Sequence, residues 1–90
     1  MTALPLSSIL DTAAAAPLRS RLLQMIERRE AIELHGSEVA RIGQACLQVL
    51  ESARVSAAAA GLNFSLVQPS ESMTSMLTLA RLDALLEPAA

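Results

Sequence analysis

The chain offers few residues that can do chemistry. Cys46 is the only cysteine and His35 the only histidine. One of each is too few for a structural zinc site, and no acidic residue is spaced to complete one, so no metal is expected. A Cys–His nucleophilic pair is formally available. Cys46, however, falls on the apolar side of a helical pattern, where a free cysteine packs as a small hydrophobe. His35 has a reference pKa of about 6.5 that suits a pH switch. A lone histidine at the end of a strand more often bonds a nearby backbone group. The carboxylates are scattered and there is no lysine at all, so no glycine-rich loop with a lysine is present to cradle a phosphate. No convergent polar constellation is left for catalysis, and no cofactor is expected.

The stretch RIGQACLQVL, residues 41 to 50, is the one place where position could create chemistry. Gly43 precedes a helical pattern, so Gln44, Ala45 and Cys46 fall in a first turn. The free N–H groups of such a turn can face a phosphate on a serine, bind an anion, or simply begin a buried helix. Arg41 is the nearest cation.

The elements that would position this turn can be read on either side of it. Leu4-Pro5-Leu6-Ser7-Ser8-Ile9 alternates weakly and reads as a short edge strand, because Pro5 cannot donate to a ladder. Asp11 is a candidate helix cap. Leu18, Leu22, Met25 and Ile26 recur at helical spacing, which places a first helix at about 17–29 with Pro17 in its first turn. Ala31 to His35 reads as a strand that Gly36-Ser37 breaks. Residues 38–42 read as a loop with apolar anchors at Val39 and Ile42.

The second helix is expected over 44–60, with Cys46, Val49, Leu50, Ala53, Ala57 and Ala60 inward. Gln44, Gln48, Glu51, Ser52 and Arg54 face outward, and Gly61 serves as the stop. Residues 63–67 form the next strand, with Phe64 and Leu66 on one face. Ser70 or Ser72 caps a third helix at about 71–79, with Met73, Met76, Leu77 and Ala80 inward. Leu82, Leu85 and Leu86 make a last apolar patch before a frayed tail.

Strands alternating with helices argue an α/β domain with a parallel or mixed sheet and right-handed crossovers. Sites in such sheets lie outside the carboxyl ends of the strands, here the turn after residue 35 and the loop entering RIGQACLQVL.

Composition narrows the classes. Ninety residues make one small domain, 1–90, the expectation. Hydrophobic residues are 52% but aromatics 1%, so the core must be aliphatic. The net charge is −2 and there is no basic run beyond Arg28-Arg29, which argues against a nucleic-acid partner. One cysteine precludes an internal disulfide. MTALPLSSIL lacks the basic n-region and long apolar core of a signal peptide. No apolar run approaches the roughly 20 residues that span a bilayer. A cytoplasmic location is the expectation.

The path from Leu34 through Gly36-Ser37, Val39 and Arg41-Ile42-Gly43 into Ala45-Cys46-Leu47-Gln48-Val49-Leu50 resembles the STAS domain, the sulfate-transporter and anti-sigma-factor-antagonist family. Ile9-Leu10-Asp11 through Pro17-Leu18 is similar to that family's first helix entry. Gly61 to Val67 is similar to its next strand, followed by a Pro-Ser turn. The resemblance implies a small mixed sheet with helices mainly on one face and shortened N-terminal strands. It also implies a non-enzymatic regulatory module that docks on a partner protein, a monomer or weak dimer.

In the anti-sigma-factor antagonists the switch is a serine in a D-S-S-G-L type motif at the start of the second helix. With the motif leucine at Leu47, its aspartate becomes Gly43, its first hydroxyl Gln44, the phosphorylated serine Ala45 and the glycine Cys46. An aspartate common at the preceding strand end becomes His35. No serine or threonine occurs between Ser37 and Ser52. The resemblance therefore implies docking without phosphorylation at this turn, through Ser37, Arg41, Gly43, Gln44, Ala45, Gln48 and Glu51. The implied partner is a histidine kinase of the chemotaxis or two-component type, or a kinase-like anti-sigma factor. An alternative within the family is the cytoplasmic subunit of a phospholipid-transport ATPase. Its turn carries a threonine before the alanine, where this chain has Gln44.

Overall fold

Leu4 pairs with Leu34, and Leu34 with Leu66, in one parallel register that puts three leucines side by side across a sheet. A computed structural model describes residues 4–86 of the chain. Its elements are β1 (Leu4–Pro5), β2 (Ile9–Leu10), α1 (Thr12–Glu27), β3 (Ile32–His35), β4 (Arg41–Ile42), α2 (Gln44–Ala59), β5 (Phe64–Val67), α3 (Glu71–Leu79) and a 3₁₀ turn (Asp83–Leu86). The tail expected after residue 86 lies outside the described residues.

β1, β3 and β5 form a sheet in that order, and β2 and β4 form a separate two-stranded ladder. Of a parallel and a mixed sheet, every described pairing is parallel. Each step from β1 to β3 to β5 moves across the sheet in the same direction. Right-handed crossovers then place the intervening helices on the same face. That face carries Ile32, Leu34, Phe64 and Leu66, buried or half-buried, and it packs into a core with Leu22, Met25, Cys46, Leu47, Leu50, Met73, Leu77 and Leu85. The other face shows Glu33, His35, Ser65 and Val67, all half-buried, with Glu33 accepting from the His35 ring at 3.1 Å when Nε2 carries the proton.

Four expectations need correction. The strand read over 4–9 is two short strands with different partners. Leu6 N–H bonds His35 O at 2.9 Å, and the chain then leaves that sheet, so that Ser8 O accepts from Ala40 and Arg41 N–H at 2.8 and 3.1 Å. Residues 41–42, read as loop, are the strand that pairs with the second of these pieces. Two-residue strands show no alternation to detect. The first helix begins at Thr12, not 17: Asp11 Oδ1 accepts from Ala14 N–H at 3.2 Å, and four alanines carry the helix through Pro17. Pro17 removes one backbone donor but does not end the helix. The third helix matches 71–79, but Met76, read as inward, is exposed.

Candidate functional site

β2 and β4 end together at the starts of two helices. Gly43 N–H bonds Leu10 O at 2.9 Å, and the Cys46 thiol donates to Asp11 O at 3.3 Å. This stitching sets the first turn of α2 beside the first turn of α1. Burial, more than the nearby Asp11 charge, pushes the Cys46 pKa above its ordinary 9.0. A fully buried, protonated thiol that donates a hydrogen bond is a packing group, not a nucleophile.

Gly43 is the N-cap of α2 and provides no side-chain cap. A Cβ there would meet only Leu10 O at 3.7 Å, an ordinary contact, so space does not demand glycine. Gln44 follows, exposed, as the first helical residue. Ala45 is second and half-buried, Cys46 third and fully buried, and Leu47 is fully buried although the spacing did not single it out. Gln48 is exposed one turn on. Glu51 is half-buried and held by Arg54, whose Nε and Nη2 each reach a carboxylate oxygen at 2.8 Å. Those hydrogen bonds are the main cause of a Glu51 pKa below the ordinary 4.5.

Arg41 and Ser37 approach this turn differently. Arg41 is exposed on β4, just before the cap, on the wall of an open depression of about 600 Å³. Glu71, Ser72, Ser75 and Met76 of α3 form the far wall. Nothing in the sequence signals those α3 residues, because their proximity to Arg41 depends on how the β2–β4 ladder is placed. Ser37 lies exposed in the turn from Gly36 to Val39, closed by Val39 N–H to Gly36 O at 3.2 Å. Ser70 clamps this region. Its hydroxyl donates to Val39 O and accepts from Met73 N–H at 3.0 Å, while its N–H bonds Gly36 O at 2.9 Å. Among the described residues, no group of three or more His, Cys, Asp or Glu could hold a metal ion.

The family model described as Mlab, STAS domain matches residues 1–87. The chain belongs to the STAS domain family. Neither the curated proteins nor the solved structures compared with it give a match. STAS domains are in general regulatory or binding modules, generally non-enzymatic, and commonly mediate contacts between proteins. No helix among the described residues is long and apolar enough to cross a membrane.

Gly43, as the N-cap of α2, offers no carboxylate to accept from the first-turn N–H groups, and Ala45, the second helical residue, offers no hydroxyl.

Proposed function

We propose that this STAS domain is a bacterial regulatory module of signal transduction that docks on a histidine kinase of the chemotaxis or two-component type. It docks through the first two turns of α2 and is not controlled by phosphorylation there. One observation carries the reading. Gln44 and Gln48 are exposed on one face of α2, at the helix start, while Ala45 between them offers no hydroxyl. Glu51 and Arg41 extend this face, with Gly43 setting its close edge and Ser37 at its periphery. The module is a single cytoplasmic domain, monomeric or weakly dimeric, and needs no cofactor. A kinase-like anti-sigma factor would meet the same face.

Isothermal titration of the purified chain against such a kinase tests this. Gln44→Arg with Gln48→Arg introduces two charges into the face and lowers affinity at least about tenfold with the melting temperature unchanged. Equal affinity for both proteins refutes the face. Incubation with kinase and ATP leaves residues 41–50 unmodified by mass spectrometry, and a stoichiometric phosphate there refutes the absence of a switch.

A second reading keeps the same face but makes the chain a fixed cytoplasmic subunit of a phospholipid-transport ATPase. Gln44 supports it by supplying an exposed hydrogen-bonding side chain where the resemblance has a threonine. A subunit co-purifies at constant stoichiometry, whereas a regulator dissociates and changes its partner's activity.

A further inference from the structure

Helices α1 and α2 lie side by side over their whole length. Their starts are joined through Leu10 and Asp11, and their ends by Arg29 Nη2 donating to Ala60 O at 2.9 Å. Between them runs an open groove of about 260 Å³ on the surface away from the sheet. Its floor is Leu22, Val49 and Ala53, and one wall is Leu23 and Ile26. The other wall is low, because α2 has serine at 52 and 56. Leu23 is 40% exposed, so the wall is apolar and uncovered.

Three features select the occupant. The lining spans Arg19 to Ile26 on one helix and Gln48 to Ser56 on the other, about 10–12 Å at 1.5 Å per residue. That length matches an i, i+3/i+4, i+7 stripe on a helix, the pattern read by helix-in-groove recognition. A site for a small molecule would need fixed polar groups to orient it. Among the described residues no polar or charged side chain is buried, in the groove or elsewhere. Charge supplies the third feature. Arg19 is the only ionisable lining residue, and it makes no ion pair among the described residues.

We infer that the α1–α2 groove receives an amphipathic helix of a partner protein, its apolar stripe against Leu22, Leu23 and Val49 and an acidic residue against Arg19. This goes beyond docking through the start of α2. The two surfaces meet only at Gln48, so one can fail without the other.

The probe is a blocked 16-residue alanine-based helix with leucines at i, i+3 and i+7 and a glutamate four residues before the first leucine. Its control has lysine in place of that glutamate. Titrated into the ¹⁵N-labelled chain, the glutamate peptide shifts the amides of Leu23, Val49, Ser52 and Ser56. Ser52→Arg, which fills the low wall, removes those shifts, and Gln44→Arg leaves them unchanged. Arg19→Glu, at an exposed position with no fold requirement, weakens the glutamate peptide about three- to fivefold, the worth of one exposed ion pair. It strengthens the lysine peptide by a similar factor. Absence of shifts at the groove overturns the inference, as does insensitivity to Ser52→Arg or equal binding of the two peptides by Arg19→Glu. The same shifts appearing on concentrating the chain alone would make a second copy the occupant, which also overturns it.

Discussion

A methyl group added at Gly36 would lie 2.7 Å from Met73 Sδ, 3.2 Å from Pro69 Cα and 3.5 Å from Leu66 Cδ1. Met73 is fully buried and Pro69 Cα is backbone, so neither gives way freely. Gly36→Ala is expected to cost about 1–3 kcal/mol by overpacking, read as a lower urea midpoint at unchanged slope. In the sequence Gly36 was legible only as a strand breaker, because its neighbours come from β5, α3 and the turn between them, thirty or more residues away. Cys46 was read correctly as core from its helical position alone. Its thiol has a raised pKa in the folded protein, so its contribution is complete below pH 9.0 and declines as pH rises through the folded value. A thiol-specific disulfide reagent should therefore leave Cys46 unmodified near neutrality and react at the unfolding rate. Rapid labelling of the native protein would show that the thiol is accessible.

At the scale of elements, all three helices end alike. Leu62 N–H reaches Ala57 O at 2.8 Å and Gly61 N–H reaches Ala58 O at 3.1 Å, with Gly61 at φ +73. The same pair of bonds closes α1 around Arg29 at φ 56 and α3 around Arg81 at φ 60. Only the glycine end was legible, since arginine carries no signal for the left-handed region. Arginine pays conformational strain there. Arg81→Gly is expected to stabilise by about 0.5–1 kcal/mol, seen as a higher melting temperature. Arg29→Gly gains less, because Arg29 also holds Ala60 O at 2.9 Å across the two helix ends. If Arg81→Gly lowers the melting temperature, strain at that cap is not the controlling term. Helix existence was legible from periodicity, whereas the start of α1 was not. Four alanines carry no amphipathic pattern, and Pro17 looked like a boundary.

At the scale of the molecule, one strand carries the sheet. β3 is paired on both sides, whereas β1 and β5 are each paired on one described side and the β2–β4 ladder has only two residue pairs. Residues 31–35 were legible as a strand, whereas cover on one face of the sheet was only what the family resemblance implied; Ile32 and Leu34 are the buried side and Glu33 and His35 the half-buried one. Nothing in the two-residue strands announced the second ladder, because a pairing that short depends on where β1 and β3 deliver the chain. Local stability should follow this asymmetry. Amides of β3 and of Gly36 just beyond it should exchange with deuterium at the limit of global unfolding, protected by bonds such as Ile32 N–H to Asn63 O at 2.9 Å and Gly36 N–H to Val67 O at 3.1 Å. The amides of Ala40 and Arg41 share a single acceptor, Ser8 O, at the exposed Ile9–Arg41 end of the ladder, and open by local fluctuation. They should exchange at least about a hundredfold faster than those of β3. This matters for binding because Arg41 and the cap of α2 hang on that ladder. A docking partner would order it, so protection at Ala40 and Arg41 should rise on binding while β3 stays constant. Equal protection of both ladders in the free protein would mean that the start of α2 is as rigid as the sheet and has no ordering left for a partner to supply.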